Sequence, residues 1–204
     1  MYYLYGEGKY YQMNLKKGWI VNMNQALIII DYSYDFVADD GKLTAGKPAQ
    51  DVEENMVNAI NEFIDQKAPI FFMMDIHKEN DPHHPETKLF PPHNIEGSAG
   101  RDLYGKVGER YEEIKSLDNV FFIDKTRYSS FAGTNLDLLL RERNIDTVVL
   151  GGVVTDICVL HTAIGAYNLG YHIQVLENCV ASFNPDGHTV ALDHMKNSLA
   201  AEII

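Results

Sequence analysis

The sequence predicts an α/β fold, namely a three-layer αβα sandwich around a mostly parallel sheet of about six strands. Two observations predict it. Short apolar runs, which suit buried parallel strands, alternate along the chain with longer segments whose apolar residues have helical spacing. No internal repeat, low-complexity tract or linker divides the chain into two folding units. Alternation of this kind places helices on both faces of one sheet.

The predicted strands are short and apolar, and the first, residues 26–30, is rich in β-branched side chains. In chain order, the predicted strands are residues 26–30, 69–74, 120–123, 147–150, 172–176 and 201–204. The predicted helices are residues 51–66, 136–143, 156–169 and 188–195. The segment 75–100, rich in Pro, His and Gly, is predicted to be a long loop, and loops of this length in compact domains are usually functional.

Composition and charge narrow the class of protein. A chain of 204 residues fits one domain with a full core. Its 17 basic and 29 acidic residues give a net charge of −12, which argues against nucleic acid or an anionic membrane as a partner. No apolar stretch approaches the roughly 20 residues of a membrane span. Two cysteines are too few for a disulfide framework, so we expect free thiols in a reducing, cytoplasmic compartment.

Residues 1–22 differ in composition from the rest of the chain. They hold five tyrosines and the only tryptophan, Trp19, and they lack the apolar core of a signal peptide. We interpret them as an N-terminal extension, a leader or the product of an upstream start, ahead of a domain at residues 23–204. The alternative is an arm that packs on a partner subunit, since exposed aromatic side chains favour burial.

Chemically versatile residues follow four of the predicted strands. Asp31 follows the first, Asp75 and His77 the second, and Lys125 the third. Cys158 ends the glycine-led segment after the fourth. Because the carboxyl ends of parallel strands share one edge, where sites of such sheets form, we expect these side chains to lie together.

Cys158 is the candidate nucleophile. We expect it in the first turn of a helix that starts near Asp156, where the partial positive charge of the helix N-terminus and a nearby Lys125 would stabilise a thiolate. The N–H groups of Val154 and Cys158 are candidate donors to an oxyanion. Cys179 has no such setting, and we interpret it as a buried structural residue.

Asp31 is the candidate general base, since a carboxylate at the end of an apolar strand needs a partner or a chemical task. It would take the thiol proton and return it to leaving ammonia. The alternative is a helix cap or a plain salt bridge. Lys125 would pair with Asp31 and help set both pKa values. Asp35 is interpreted as a residue of the surface loop.

The long loop contains a candidate metal site. Two imidazoles and a carboxylate suit a divalent ion such as Zn²⁺, Mn²⁺ or Fe²⁺. The candidate ligands are Asp75, His77, Glu86 and His93. The adjacent His83 and His84 are interpreted as solvated loop residues.

The order and spacing of these motifs resemble the isochorismatase-like cysteine hydrolases, and within them the nicotinamidases, including those with pyrazinamidase activity. The resemblance extends from about Met23 to the C-terminus. The motifs are IDYSYDF at 30–36, DIH at 75–77, FPPHNIEG at 90–97, KTRYSSF at 125–131 and GVVTDICV at 152–159. The Asp, Lys and Cys set marks the superfamily, and the D-x-H pair with the later Pro-His narrows it to nicotinamidases.

The resemblance implies a role for each matched position. The catalytic triad would be Asp31, Lys125 and Cys158. The metal ligands would be Asp75, His77 and His93, and Glu86 matches a ligand of some family members. The substrate pocket would be lined by Phe36, Leu43 and Tyr128. The Val153–Val154 peptide bond would be cis. The implied reaction is hydrolysis of nicotinamide to nicotinic acid and ammonia through a cysteine thioester, within NAD salvage. One divalent ion, zinc first among the candidates, would position the pyridine ring, and the chain would form a homo-oligomer.

Three alternative functions have less support. A related amidase could act on a carbamoyl or ureido compound; such enzymes usually lack the histidine-rich metal set, so bound metal discriminates between them. A non-catalytic metal-binding module would have lost a member of the triad, and none is lost here. A redox role for Cys158 lacks a Cys-x-x-Cys partner.

Overall fold

A six-stranded, all-parallel sheet lies at the centre of the computed structural model, which describes residues 24–204. The strands are β1 Gln25–Ile30, β2 Ile70–Asp75, β3 Val120–Lys125, β4 Thr147–Val153, β5 His172–Ala181 and β6 Glu202–Ile203. The predicted sandwich around a parallel sheet is therefore confirmed. The extension predicted at residues 1–22 lies outside the described residues.

Helices cover both faces of the sheet. They are α1 Tyr34–Val37, α2 Lys47–Asp51, α3 Glu53–Asp65, α4 Gly105–Ile114, α5 Leu136–Glu142, α6 Leu160–Asn168 and α7 Pro185–Ser198. Short 3₁₀ turns span Pro85–Lys88 and Ala99–Arg101, and a π-helical turn spans Thr155–Val159. Among the helices at 24–204, none has the length and apolarity to cross a bilayer.

Several elements differ from the prediction. Strands β4 and β5 continue to Val153 and Ala181, past their predicted ends at residues 150 and 176, and helices α1 and α2 were not predicted. Helix α4 was not predicted, because its buried residues, Val107 and Ile114, are too few to reveal a helical period between charged neighbours. Helix α7 begins at Pro185 rather than at residue 188, since proline suits the first helical position and Asn184 caps the turn by accepting from an N–H. Strand β3 continues to Lys125, two residues past the predicted end.

Two apolar layers make the core, one on each face of the sheet. Leu27 and Ile29 of β1 pack with α2, α3 and α4 on one face. Ala26, Ile28 and Ile30 pack with α5, α6 and α7 on the other. Because both faces are covered, every residue of β1 is buried, which explains its continuous apolar sequence.

The strand order, β3-β2-β1-β4-β5-β6, decides where a site can form. After β3 the chain returns to the opposite side of β1, so β1 and β4 are neighbours at the point where the winding reverses. Their carboxyl ends meet with Ile30 opposite Gly152, while Asp75 of β2 lies opposite Lys125 of β3. Sheets of this type open a crevice at such a point.

Candidate active site

Asp31, Lys125 and Cys158 meet beyond the carboxyl ends of β1, β3 and β4. The Lys125 Nζ lies 2.7 Å from Asp31 Oδ2 and 3.8 Å from Cys158 Sγ. Both side chains of the Lys125–Asp31 ion pair are fully buried. The other carboxylate oxygen of Asp31 accepts a hydrogen bond from the Asp75 N–H at 2.8 Å. The ends of three separate strands therefore bring these three side chains together in a buried position.

Burial and opposing charge set the protonation of these groups. Burial raises the pKa of Asp31 to about 6, and the Lys125 ammonium limits the rise. Burial alone would lower the pKa of Lys125, but the Asp31 carboxylate beside it raises that pKa above its usual value, so the lysine stays charged.

The pKa of the Cys158 thiol is raised, whereas the sequence suggested that Lys125 and the helix N-terminus would favour the thiolate. Burial raises its pKa well above the ordinary value, although the Lys125 ammonium acts in the opposite direction. Desolvation thus outweighs the nearby positive charge. A thiol in this state needs a base, and the adjacent Asp31 carboxylate is in place to be that base.

Cys158 lies in the π-helical turn Thr155–Val159, which continues directly into α6. The helical segment starts one residue before the predicted position near Asp156. Val154 stands just before this turn, and its peptide bond to Val153 is cis. The backbone at the start of a helical segment carries N–H groups without intrahelical partners, which is the arrangement that an oxyanion needs.

The four candidate metal ligands form one buried cluster at the same edge of the sheet. The cluster consists of Asp75, His77, Glu86 and His93, whose ligand atoms all lie within 4.8 Å of one another. Asp75 Oδ2 lies 2.5 Å from His77 Nε2 and 3.6 Å from His93 Nε2. His93 Nε2 lies 3.6 Å from Glu86 Oε2. Lys125 Nζ is 3.7 Å from Asp75 Oδ1, so the cluster adjoins the triad.

The donor set of this cluster fits a divalent metal ion. Asp75 Oδ1 and His93 Nε2 are buried and have no hydrogen-bond partner among the described residues, whereas buried polar atoms are nearly always paired. The Nδ1 of His93 is 2.8 Å from the Pro91 carbonyl, a contact that orients a ligating imidazole and leaves its other nitrogen for the metal. Two imidazoles with two carboxylates match the donors that four-coordinate zinc takes.

Asp35, interpreted from the sequence as a surface residue, is buried. It stabilises the metal loop, which is the segment 75–100 that contains the candidate metal ligands. Its Oδ2 accepts from the Asn94 N–H at 2.8 Å, and its Oδ1 accepts from the Lys42 N–H at 3.2 Å. Gly100 packs on this carboxylate, since a Cβ there would lie 2.2 Å from Asp35 Oδ2. Asp35 therefore fixes the backbone next to His93. Its apolar sequence neighbours were the one signal of burial.

His84 also differs from its interpretation as a solvated residue. It is buried, whereas the adjacent His83 is exposed. Its ring meets the ring of His77 edge-on, with the centroids 4.4 Å apart. The sequence offers no signal that separates these two neighbouring histidines.

An apolar pocket adjoins Cys158 and the Glu86 carboxylate. The three residues predicted to line it, Phe36, Leu43 and Tyr128, all lie in its wall. The apolar wall residues that were not predicted are Phe90, Ile157 and Phe183. Apolar and aromatic walls with a few polar groups are typical of pockets for small ligands. The Cys158 sulfur and the Glu86 carboxylate of the candidate metal cluster lie at the border of this wall.

The isochorismatase domain family matches residues 25–204. An all-parallel α/β sheet with a cysteine, lysine and aspartate at its carboxyl edge agrees with that match. This chain belongs to the isochorismatase family.

Individual relatives narrow the comparison to one branch. The Bacillus subtilis isochorismatase family protein PncA is 54% identical over 181 residues, which cover 89% of this chain and 99% of that protein. The crystal structure of the pyrazinamidase/nicotinamidase of Streptococcus mutans UA159 is 57% identical with a TM-score of 0.86, covering 88% of this chain and 99% of that one. The predicted resemblance to nicotinamidases is confirmed.

A more distant structure contains a metal. The pyrazinamidase of Pyrococcus horikoshii, solved in complex with zinc, is 26% identical with a TM-score of 0.76. The match covers 89% of this chain and 98% of that one.

Proposed function

We propose that this chain is a nicotinamidase, which hydrolyses nicotinamide to nicotinic acid and ammonia and also deamidates pyrazinamide. One observation carries the proposal: the Lys125 ammonium lies within 3.8 Å of Asp31, Asp75 and Cys158, so it joins a base, a metal ligand and a thiol. Such a contact belongs to one site rather than to two. The names of the S. mutans and P. horikoshii relatives support the same substrate class.

The first half of the reaction transfers the acyl group to sulfur. The Asp31 carboxylate takes the proton of the Cys158 thiol, and the thiolate attacks the carboxamide carbon. The carbonyl electron pair moves to oxygen, where the N–H groups of Val154 and Cys158 stabilise the charge. Asp31 then protonates the amide nitrogen, and the C–N bond breaks. Ammonia departs, and the acyl group remains on Cys158 as a thioester. Lys125 stays protonated throughout and balances the negative charge, which lies first on the Asp31 carboxylate and then on the Cys158 thiolate.

The second half returns the enzyme to its starting state. Water attacks the thioester carbon while Asp31 accepts a proton from it. The C–S bond breaks, the proton passes to the Cys158 sulfur, and nicotinic acid leaves. The same carboxylate thus serves twice as base and twice as acid, a task that suits a carboxyl whose pKa burial raises to about 6.

The metal cluster and the pocket position the substrate. Asp75, His77, Glu86 and His93 would hold one divalent ion, for which Zn²⁺ is our proposal. When bound there, the ion would supply an electrophilic centre for the pyridine nitrogen, directly or through water. Phe36, Leu43 and Tyr128 would hold the faces of the ring, so that the carboxamide is directed toward Cys158.

The test is ammonia release from nicotinamide by the purified full-length protein, with zinc measured on the same sample. We expect equal amounts of ammonia and nicotinic acid, loss of both on chelation, and recovery on added Zn²⁺. A parallel assay contains an N-carbamoyl amino acid. Zinc-loaded protein that hydrolyses the N-carbamoyl amino acid but not nicotinamide would contradict the proposal. The substrate would then be a carbamoyl compound.

A further inference from the structure

His84 is a buried imidazole outside both the triad and the metal ligand set, and it is 7% exposed. Its Nδ1 accepts a hydrogen bond from the Glu86 N–H at 3.3 Å. Its Nε2 lies 2.7 Å from the Thr126 carbonyl. Its ring also packs edge-on against His77. One side chain therefore contacts the metal loop at two places and the segment after β3 at a third.

These partners select one form of the ring. A neutral imidazole has one donor and one acceptor nitrogen. The Thr126 carbonyl can only accept and the Glu86 N–H can only donate, so the neutral tautomer with the proton on Nε2 satisfies both. The His84 ring is thus held at both ends.

The Nδ1 end controls the orientation of Glu86. His84 is the N-cap of the 3₁₀ turn Pro85–Lys88, and its side chain accepts the Glu86 N–H there. The turn directs the Glu86 carboxylate to within 3.6 Å of His93 Nε2. Groups that orient a metal ligand in this way typically change metal affinity about tenfold to a hundredfold when they are removed.

The Nε2 end of the His84 ring contacts the segment after β3, which also contacts Lys125 and lines the pocket. Thr126 follows Lys125, whose Nζ also donates to the Arg127 carbonyl at 3.2 Å. Tyr128, two residues further, lines the pocket beside Cys158. The bond from His84 to Thr126 therefore ties the wall of the pocket to the metal loop.

We propose that His84 is a positioning residue that joins the metal cluster to the substrate pocket. Its Nδ1 end orients Glu86 for the metal, and its Nε2 end places Tyr128 for the substrate. The metal half stands on the cluster alone, while the substrate half rests on the proposed function.

Two substitutions separate the two ends. In His84→Asn, the side-chain oxygen takes the place of Nδ1 and accepts from Glu86, but the side chain is too short to reach Thr126. In His84→Gln, the amide nitrogen takes the place of Nε2 and reaches Thr126, but no acceptor remains for the Glu86 N–H. The matched controls are His83→Asn and His83→Gln at the exposed neighbour.

The measurements are release of Zn²⁺ from the purified holoprotein to a chromophoric chelator, and KM for nicotinamide in excess Zn²⁺. We expect His84→Gln to lose Zn²⁺ at a chelator concentration about tenfold lower than the unsubstituted protein, with KM nearly unchanged. We expect His84→Asn to keep its Zn²⁺ and to raise KM severalfold. Both His83 variants should match the unsubstituted protein in both measurements.

The proposal would be overturned if the two His84 variants changed Zn²⁺ release and KM to the same extent. It would also be overturned if neither variant changed Zn²⁺ release or KM. Histidine ¹⁵N NMR of the unsubstituted protein tests it without a substitution, and a His84 proton on Nδ1 would contradict it. If the unsubstituted protein does not hydrolyse nicotinamide, the proposed substrate fails, whereas Zn²⁺ release from His84→Gln still decides the metal half.

Discussion

The Cys158 thiol is buried beside the Lys125 ammonium and the Asp31 carboxylate, and burial is the largest influence on its pKa. Lys125 and Asp31 compensate each other's charge, so the pair tolerates a position without water. The neutral thiol can then sit beside them without adding a third charge. In the proposed mechanism, proton transfer to Asp31 creates the nucleophile only when it is needed. At this scale, the arrangement of three side chains makes a buried thiol compatible with the proposed nucleophilic catalysis.

The substitution Cys158→Ala should lower kcat for nicotinamide by about 10⁴-fold or more, because it removes the atom that forms the thioester. The control is Cys179→Ala, since Cys179 is also buried and burial raises its pKa to about 12. That variant should keep kcat near the unsubstituted value. The measurement is ammonia release at saturating nicotinamide. Substantial turnover by Cys158→Ala would contradict the thioester mechanism.

Asp35 acts at the residue scale through hydrogen bonds, and Asp35→Asn tests it. Asparagine has one acceptor oxygen, so its amide group would face one of the two N–H donors, from Lys42 or Asn94. We expect a loss of about 1–3 kcal/mol in the free energy of unfolding and weaker retention of Zn²⁺. Asp39→Asn, at an exposed residue, is the control. Urea unfolding and zinc content measure both effects, and equal behaviour of the two variants would refute this role.

At the scale of elements, the site depends on how closely β4 approaches β1. Gly152 has a φ of 121°, and a Cβ there would lie 2.1 Å from the Ile30 carbonyl oxygen. Only glycine allows this approach at the end of the two strands. The strand ends that carry Asp31 and lead to Cys158 can therefore come together.

We expect Gly152→Ala to lower the free energy of unfolding by about 3 kcal/mol, because the new methyl group meets backbone atoms of β1 that cannot move aside easily. The adjacent Gly151→Ala is the control, since its Cβ would lie 3.4 Å from the Cys179 Cβ, an ordinary contact. Urea unfolding at equilibrium measures both. Equal losses for the two variants would show that the approach of the strands is not the cause.

At the scale of the whole molecule, the long loop between β2 and α4 folds over the sheet edge and brings Glu86 and His93 to residues of β2. In the described part of the chain, the ligand cluster gathers two carboxylates and two imidazoles in buried positions. A bound cation would neutralise the carboxylates and hold the loop against the sheet. We therefore expect metal binding and folding to be coupled in this region.

Chelation of the metal should lower Tm by about 5 °C or more, since an ion that binds the folded state alone stabilises it by mass action. Added Zn²⁺ should restore the original Tm. Mg²⁺ should not, because it prefers oxygen ligands in octahedral geometry. Differential scanning calorimetry with zinc analysis on each sample makes the measurement. An unchanged Tm in protein shown to be zinc-free would contradict the coupling.

The sequence by itself determined the alternation of strands and helices, the parallel sheet and the positions of polar residues at the strand ends. These features follow from local periodicity and from the rule that carboxyl ends of parallel strands share an edge. The candidate residues at positions 31, 75, 77, 125 and 158 could be chosen on that basis. Helix α4 was not predicted from the sequence, because few of its residues are buried.

Only the tertiary structure decided that Asp35 and His84 are buried and that burial raises the pKa of the Cys158 thiol. The burial of a loop residue depends on which distant segment covers it, and nothing in its own neighbourhood records that. Desolvation likewise sums over atoms from many parts of the chain. Sequence can therefore place a side chain at the edge of the sheet, whereas the folded loop decides whether water reaches it.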